Sequence, residues 1–500
     1  MQNNVLDYLK DTVLKKPDKS AFSDGTDSLS FLEVYSQSRA VGTWLYKKDI
    51  YKKPVVVFMN KHPKTVTAFL GVITGGCFYI PVDLEMPAMR IELIIQNVDA
   101  KVMICDNNTA AAAAELNFSG EIVLYDDLCE TTVEDESLKQ IHDKALDTDL
   151  IYVVFTSGST GIPKGVTGCH RSAIDYTEQL SEILRFGEDT IFGNQAPLYF
   201  DACMKEIYPT LKFGATTYLI PRNLFLFPVK LVEFLNQYQI NTLCWVVSAL
   251  TMISAFGAFE NLVPEYLRTV AFVGEVFPVR QFNRWKKALP EVDYVNLYGP
   301  TEGTGVCCYY RVDREFAAGE VLPVGRSFKN TEILLLNDRN ERAADGEEGE
   351  ICIRGTCLSH GYYNDRERTK KAFVQNPLNQ MYPEMIYRTG DIGRYNDRGE
   401  LVFVSRKDFQ IKHMGHRIEL EEIEVYVNAI EDVDMAGCIF DNKKKKIMLY
   451  YVGKISEKDL TITIKNKVPR YMVPNAVYKI EGMPFTPNGK VDRKALEKIN

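Results

Sequence analysis

The sequence predicts an α/β fold in which a large N-terminal domain of layered β-sheets and helices precedes a small α+β C-terminal domain. Three observations lead to this prediction. The 500 residues exceed what one hydrophobic core usually organises. Short apolar runs of strand length alternate with helical patterns through the first part of the chain. After about residue 345 the pattern changes to short strands with turns.

The elements of the N-terminal part are predicted from hydrophobic periodicity. Strands are placed where short apolar, β-branched runs end at turn residues, and helices where apolar residues recur at helical spacing. The run LIYVVF over 150–155 is continuously apolar, which indicates a strand buried on both faces of a largely parallel sheet. The other predicted strands are 54–59, 101–106 and 121–126, and the predicted helices are 65–73, 89–98 and 109–116.

The last hundred residues have a more compact pattern. A helix is predicted over 417–430, followed by a strand at 435–440, a solvated turn with four lysines at 443–446 and a second strand at 447–453. We therefore predict two domains, 1–407 and 408–500, with the boundary near Arg406 to Asp408.

Composition limits the classes of function. A formal net charge of −8 disfavours nucleic acid and anionic membranes as general partners. The eleven cysteines show no C-x-x-C spacing, so they predict reduced, mostly buried thiols and a cytoplasmic location rather than a zinc or redox motif. The first 20 residues are amphipathic and charged and contain no apolar block typical of a signal peptide. No apolar run reaches about 18 residues, so no membrane span is predicted. We expect a monomer.

The first segment that suggests chemistry is TSGSTGIPKGV, residues 156–166, directly after the buried strand. Gly158 and Gly161 let the backbone approach a ligand closely, the hydroxyls and amides offer donors, and Lys164 adds a point charge. The composition fits a phosphate-binding loop and a mobile solvated loop equally well. The spacing is not that of a Walker A loop.

Five segments in order along the chain resolve this ambiguity by resemblance. The loop resembles the phosphate loop of the adenylate-forming superfamily, which includes acyl-CoA synthetases, luciferases and the adenylation domains of nonribosomal peptide synthetases. NLYGPTE (296–302) resembles its adenine and magnesium segment, and YRTGD (387–391) its ribose-binding turn. The segment at 405–424 is similar to its hinge motif, and PNGKVDRKAL (487–496) to its C-terminal lysine motif.

Finer matches favour the members that activate amino acids. The stretches at 76–91 and 349–364 resemble those of amino-acid adenylation domains, and FDACMKEIYP (200–209) fits the pattern in which an acid after Phe200 opens the substrate pocket. Acyl- and aryl-CoA ligases usually lack that acid, because their substrates carry no α-ammonium group.

The resemblance implies a two-step reaction and a mobile C-terminal domain. A carboxylate attacks the α-phosphorus of ATP to give an acyl-adenylate and pyrophosphate, with Mg²⁺ as cofactor. A thiol, commonly the phosphopantetheine of a carrier protein, then captures the acyl group after the small domain has rotated about a hinge. No carrier domain follows the lysine motif, so the carrier is a separate protein if the chain is free-standing, which its Met1 start favours, or part of a larger synthetase if the chain was excised.

The resemblance also carries roles for individual residues. Glu302 would bind the metal, Thr301 the α-phosphate, and Lys490 both the attacking carboxylate and the charge that develops at the phosphate, while Asp408 would be the hinge. Asp391 would accept hydrogen bonds from both ribose hydroxyls. The remaining predicted ATP-binding residues are Thr156, Ser157, Gly158, Ser159, Thr160, Gly161, Lys164, Gly274, Glu275, Asn296, Tyr298, Gly299 and Arg406.

The predicted amino-acid pocket centres on Asp201, which would pair with the substrate α-ammonium. Lys205, four residues further on, would share its helix face and needs a counter-charge if it is buried. That partner is a substrate side-chain carboxylate, as in glutamate, or an internal acid (Glu206 or Glu275), unless the lysine faces solvent. The other predicted pocket residues are Phe200, Ala202, Cys244 (or, alternatively, Trp245), Ala271, Val273, Leu297, Gly305 and Val306.

We therefore expect activation of glutamate or another acidic amino acid, with D-alanine activation for teichoic acid as the main alternative. The segment FVGEVFP (272–278) resembles D-alanine ligases, but these usually carry Cys in place of Val273 and a neutral residue in place of Lys205. An acyl- or aryl-CoA ligase would differ in its product, and a non-catalytic nucleotide sensor would lack pyrophosphate exchange.

Overall fold

The computed structural model describes residues 2–158, 162–317, 320–407, 410–485 and 491–499. It confirms a mixed α/β fold with a large sheet-rich N-terminal domain and a smaller C-terminal domain. The strands in chain order are β1 (Ser20–Ser23), β2 (Ser28–Ser30), β3 (Pro54–Phe58), β4 (Phe78–Val82), β5 (Val102–Cys105), β6 (Glu121–Leu124), β7 (Leu150–Thr156), β8 (Lys164–Cys169), β9 (Ile191–Asn194), β10 (Thr216–Leu219), β11 (Thr242–Val246), β12 (Thr269–Val273), β13 (Asp293–Tyr298), β14 (Cys308–Arg311), β15 (Arg326–Ser327), β16 (Thr331–Leu336), β17 (Gly349–Gly355), β18 (Phe373–Gln375), β19 (Met385–Tyr395), β20 (Leu401–Arg406), β21 (Gln410–His413), β22 (His416–Glu419), β23 (Val433–Asp441), β24 (Lys446–Gly453) and β25 (Ala476–Lys479).

The helices alternate with these strands through the N-terminal domain, as the periodicity predicts. They are α1 (Leu6–Val13), α2 (Phe31–Lys47), α3 (Pro63–Thr74), α4 (Ala88–Val98), α5 (Ala110–Glu115), α6 (Tyr125–Cys129), α7 (Asp135–Lys144), α8 (His170–Leu184), α9 (Met204–Phe213), α10 (Pro228–Gln237), α11 (Val247–Ala255), α12 (Val279–Ala288), α13 (Arg366–Ala372), α14 (Leu420–Asn428), α15 (Glu457–Lys465) and α16 (Arg493–Leu496). No helix among the described residues is both long and apolar enough to cross a bilayer.

Two large, mostly parallel sheets form the framework of the N-terminal domain. The nine-stranded sheet has the order β15-β14-β13-β12-β11-β9-β10-β1-β2, and the six-stranded sheet has the order β6-β5-β3-β4-β7-β8. The predicted buried strand is β7, of which six of seven residues are buried, and it turns back antiparallel into β8. The largest buried cluster includes side chains from both sheets, so the two sheets share one core.

The rest of the chain forms smaller sheets. Strands β16 to β20 make a five-stranded antiparallel sheet, β21 and β22 a hairpin, and β23 to β25 a three-stranded sheet. Residues from Ile418 to Met472 pack into a separate buried cluster around this last sheet. The predicted boundary at 407/408 stays a prediction, because Asp408 lies outside the described residues.

One predicted element begins at the wrong residue. The helix predicted over 417–430 is α14, and it begins only at Leu420. Residues Arg417 and Ile418 instead pair with Lys412 and Ile411 in the β21–β22 hairpin. The prediction of mostly buried cysteines is confirmed, since all except the half-buried Cys129 are buried and all eleven are free.

Candidate active site

The carboxyl ends of neighbouring parallel strands bring the predicted pocket residues together. The register aligns Val246, Val273 and Leu297 at the ends of β11, β12 and β13. Gly274 follows with a left-handed φ of 95°, which reverses the chain away from the sheet. Ligands of open α/β sheets bind in the crevice outside such strand ends, so this edge is where a site is expected.

Asp201 lies in this crevice, in a short 3₁₀ turn (Asp201–Cys203) that leads into α9. Its Oδ2 atom is close to Gly305, 3.3 Å from where a Cβ at that glycine would stand. The same oxygen is buried and has no hydrogen-bond partner among the described residues. Burial raises the pKa of Asp201, against the opposing effects of Lys205 and a hydrogen bond with Thr301. Such a carboxylate gains most from an incoming cation.

The Lys205 side chain is only 2 % exposed, which excludes the solvent-facing alternative. Its positive charge acts on two buried acids of the protein, Asp201 and Glu206. Burial nevertheless raises the pKa of Glu206 to about 7, and this carboxylate also accepts a hydrogen bond from Asn194 Nδ2 at 3.2 Å. Glu275, the other predicted partner, accepts the backbone N–H of Ser248 at 2.9 Å. Lys205 therefore has internal counter-charges without a substrate carboxylate.

The structure also decides which residue of β11 faces the pocket. Cys244 packs in the same buried cluster as Ala271, Val273 and Leu297, and its thiol interacts electrostatically with Lys205. Trp245 faces the opposite side of the sheet, where its indole N–H donates to the carbonyl of Gly193 at 2.6 Å. Because adjacent side chains of a strand point to opposite faces of the sheet, only one of Cys244 and Trp245 can face the pocket.

The predicted phosphate loop joins β7 to β8. Thr156 and Lys164 pair across the base of this hairpin, so the lysine is held at one end of the loop. The Lys164 ammonium lies 3.6 Å from Glu302 and 3.7 Å from Glu419. Burial and the nearby Arg417 lower its pKa to about 8, against the pull of the two acids. Three predicted loop residues, Ser159, Thr160 and Gly161, lie outside the described residues.

Glu302, the predicted metal ligand, is fully buried at the centre of a polar cluster. One carboxylate oxygen accepts the Tyr362 hydroxyl at 2.7 Å, and the other accepts Arg417 Nη1 at 2.7 Å. Burial alone would raise the pKa of this carboxyl, but Arg417 and Lys164 outweigh it and hold the pKa well below its usual range. An ionised carboxylate is the hard oxygen donor that Mg²⁺ prefers, so the donor chemistry fits the predicted metal, which would take the place of a cationic partner.

The predicted adenosine-binding residues form a second cluster. The Tyr298 hydroxyl donates to Asp391 at 2.6 Å, and the Arg406 guanidinium pairs with the other oxygen of the same carboxylate. Asn296 Nδ2 donates to the carbonyl of Pro323 at 2.7 Å. Lys412 of the β21–β22 hairpin lies 5.5 Å from the centre of the Tyr298 ring, a contact that sequence patterns did not indicate.

The smaller domain contacts these clusters directly through its hairpin and α14. Ser157 Oγ donates to the carbonyl of Arg417 at 2.7 Å, and Gly158 N–H donates to Glu422 at 2.9 Å. At the hairpin turn, Gly415 has a φ of 77° and packs so closely on Val246 that a Cβ would lie 2.6 Å from it. The C-terminal domain is thus docked on the predicted ATP and amino-acid sites.

Several residues of the site were missed at the sequence level. Arg417, Glu419 and Glu422 lie within the segment that was assigned to the hinge, and their charges were the available signal. Arg90 and Tyr362 also lie inside family-like stretches but had no predicted role. The predicted catalytic Lys490 and hinge Asp408 lie outside the described residues, so their roles stay predictions.

The fold and the site together define the class of protein, which is a two-domain adenylate-forming enzyme. The chain belongs to the AMP-binding enzyme family, whose model matches residues 9–363. It is 32% identical over 508 aligned positions to a D-alanine--D-alanyl carrier protein ligase of Bacillus thuringiensis, an alignment that covers 98% of both proteins. The chain is accordingly an AMP-forming ligase.

Two solved structures support the fold. The Vibrio cholerae adenylation domain AlmE, in complex with glycyl-adenosine-5'-phosphate, has a TM-score of 0.84 at 21% identity and aligns over 100% of this chain and 98% of its own. Holo-PA1221, a nonribosomal peptide synthetase protein with adenylation and PCP domains, has a TM-score of 0.81 at 23% identity, covering 99% of this chain and 84% of its own. At these identities the likeness shows the fold alone.

Proposed function

We propose that this enzyme activates an amino acid with ATP and Mg²⁺ as an aminoacyl-adenylate and then loads it onto the phosphopantetheine thiol of a separate carrier protein. The observation that carries the proposal is the buried Oδ2 atom of Asp201, which has no partner among the described residues. A buried carboxylate oxygen without a hydrogen-bond donor is costly, and the α-ammonium of an amino acid would donate to it. A fatty or aryl acid would leave this oxygen unsatisfied, which disfavours the CoA-ligase alternative.

The proposed roles of the site residues follow from their charges. In the first step the amino-acid carboxylate attacks the α-phosphorus and pyrophosphate leaves. Lys164 and the hairpin loop would hold the phosphates, and Lys490 would stabilise the charge that develops at the reacting phosphorus. Mg²⁺, when bound at Glu302, supplies Lewis-acid stabilisation of the same phosphates. Asp391 would anchor the ribose, and the thiol attack of the second step would release AMP.

The better-supported substrate is D-alanine. A relative that is 32% identical over nearly the whole chain is named a D-alanine--D-alanyl carrier protein ligase. Lys205 already has Asp201 and Glu206 as counter-charges, so the main reason for expecting an acidic substrate is weakened. The glutamate expectation therefore gives way to the alternative. Val273 in place of the usual cysteine remains a departure from these ligases.

An acidic amino acid is kept as a second candidate because of one observation. The α-ammonium of any amino acid bound at Asp201 would compete with Lys205 for that carboxylate, leaving Glu206 as the lysine's acidic partner. Burial raises the pKa of Glu206 to about 7, so this acid is only partly ionised at neutral pH. A side-chain carboxylate on the substrate would then supply the missing charge.

ATP–pyrophosphate exchange with a panel of amino acids tests the proposal. D-alanine, L-alanine, glycine, L-glutamate and L-aspartate are each offered at saturation, and we expect D-alanine to give the fastest exchange. Fastest exchange with glutamate would favour the second candidate. Exchange with none of the amino acids would contradict the proposed function.

A matched pair of variants identifies the role of the lysine. Lys205→Met should leave D-alanine activation within a few-fold of the unaltered enzyme if the lysine only balances Glu206, and Glu206→Gln should behave similarly. If Lys205→Met loses glutamate activation while Glu206→Gln keeps it, the lysine binds a substrate carboxylate. Transfer to a carrier is followed by mass spectrometry of the phosphopantetheinylated protein.

A further inference from the structure

A single carboxylate of the C-terminal domain is bound at the predicted phosphate loop as an anion would be. Glu422 of α14 is fully buried, with one oxygen 2.7 Å from Arg90 Nη1 and the other 2.9 Å from the backbone N–H of Gly158. A guanidinium and a loop N–H that converge on one oxyanion are typical of phosphate recognition. Arg90 belongs to α4, in the N-terminal domain, and is itself 3% exposed.

The charges on the two sides of this contact are complementary. Among the residues that form ion pairs here, the N-terminal domain contributes the cations Arg90 and Lys164 and the acid Glu302. The C-terminal domain contributes Glu419, Glu422 and Arg417, so the two sets carry net charges of +1 and −1. Undocking of the C-terminal domain would remove Glu419 and Glu422 and leave Arg90 beside the loop without its acidic partner. It thus leaves the Arg90 guanidinium and the Gly158 N–H available to another anion.

We propose that Arg90 and the Gly158 N–H form a binding subsite for the terminal phosphates of ATP, and that Glu422 fills this subsite when the C-terminal domain is docked. Arg90 is then a nucleotide-binding residue, and bound ATP competes with the docked domain for the same donors. Release of pyrophosphate frees the subsite for Glu422, which links the end of the first half-reaction to docking. The inference rests on the proposed ATP-dependent function.

Nucleotide affinities distinguish this subsite from a merely structural ion pair. Isothermal titration calorimetry in Mg²⁺ measures the Kd of a non-hydrolysable ATP analogue and of AMP, which lacks the terminal phosphates. For Arg90→Gln we expect the Kd of the ATP analogue to rise about tenfold while the Kd of AMP stays unchanged, since one charge-assisted contact is lost. For Glu422→Gln we expect the analogue to bind several-fold more tightly, because its competitor has lost its charge.

Controls separate folding and general charge effects from the subsite. Arg171→Gln removes a surface guanidinium that pairs with Asp147 and should leave both affinities unchanged. AMP binding reports whether each variant is folded, and Arg90→Lys keeps the charge if the glutamine variant is unstable.

Three results would overturn the inference. They are an equal loss of AMP and analogue affinity in both Arg90 variants, an unchanged analogue affinity in Arg90→Gln, and an unchanged analogue affinity in Glu422→Gln. If the unaltered protein binds neither nucleotide, the proposed function fails along with this subsite, whereas normal binding in all variants contradicts the subsite alone.

Discussion

The contact between Glu302 and Arg417 offers the sharpest test of how the two domains are held together. Substituting Glu302 by glutamine keeps the shape of the side chain but removes its charge. Arg417 then loses its ionic partner at 2.7 Å, and Lys164 loses one of its two acids. Both cations are largely buried, so water replaces little of the lost interaction.

The size of the effect follows from these contacts. Removing one partner of a buried pair costs about 3–5 kcal/mol. Lys164 keeps Glu419 at 3.7 Å, and the Arg417 side chain is 15% exposed, so we expect the lower limit. The free energy of unfolding of Glu302→Gln should therefore fall by about 3 kcal/mol, roughly two orders of magnitude in the equilibrium constant.

A double-mutant cycle measures the pairwise part of this loss. Urea unfolding is followed by circular dichroism and tryptophan fluorescence for Glu302→Gln, Arg417→Met and the double variant. The double variant no longer buries an unpaired guanidinium, so its loss should be smaller than the sum of the single losses by about 2 kcal/mol. Additive single losses, or a change below about 0.5 kcal/mol in Glu302→Gln, would refute the interpretation of this pair as a buried ion pair that stabilises the contact between the domains.

Three further outcomes are expected. The pKa of Glu302 is lower in the folded protein than in the unfolded chain, so the ionised carboxylate stabilises the fold fully above about pH 4.5, and this stabilisation is lost as the pH falls through the folded pKa. The urea midpoint of the unaltered protein should therefore drop on acidification, and it should drop less in Glu302→Gln. Gly415 has a φ of 77°, and a Cβ added there would lie 2.6 Å from Val246, so Gly415→Ala should slow carrier loading more than pyrophosphate exchange. Gly399 has a similar φ of 71° but open space around it, so the control Gly399→Ala should affect neither half-reaction. Lys490→Ala should abolish pyrophosphate exchange while ATP binding measured by calorimetry is retained, and exchange at the unaltered rate would contradict its predicted role.

Much of the framework could be predicted from sequence because its signals are local. The runs that became β3, β5 and β7 are apolar because these strands are buried on both faces, whereas β6 is partly exposed and was predicted from its alternation with helices. The helix predicted to begin at Arg417 begins only at Leu420, because a non-local contact opposes the local pattern. Ile418 extends the apolar pattern of the predicted helix, but pairing with β21 in the hairpin outweighs that local preference.

The partners of the buried charges could not be predicted in the same way. Arg90 and Glu422 are 332 residues apart, and Arg417 and Glu302 are 115 apart, so no spacing pattern relates them. Lys205 illustrates the consequence. Its sequence context left a substrate carboxylate and an internal acid, Glu206 or Glu275, open as counter-charge, and only the fold places Asp201 and Glu206 within electrostatic reach.

The sequence by itself determined the class of enzyme, the order of its motifs and the largely parallel α/β architecture, because these depend on short-range periodicity and on contiguous segments. Only the tertiary structure decided that Cys244 rather than Trp245 faces the pocket, that Glu302 is neutralised by Arg417, and that Glu422 lies at the phosphate loop. Each of these depends on which charges and faces meet across distant parts of the chain. In a buried, weakly screened environment such contacts set protonation and pairing, and they exist only once the chain has folded.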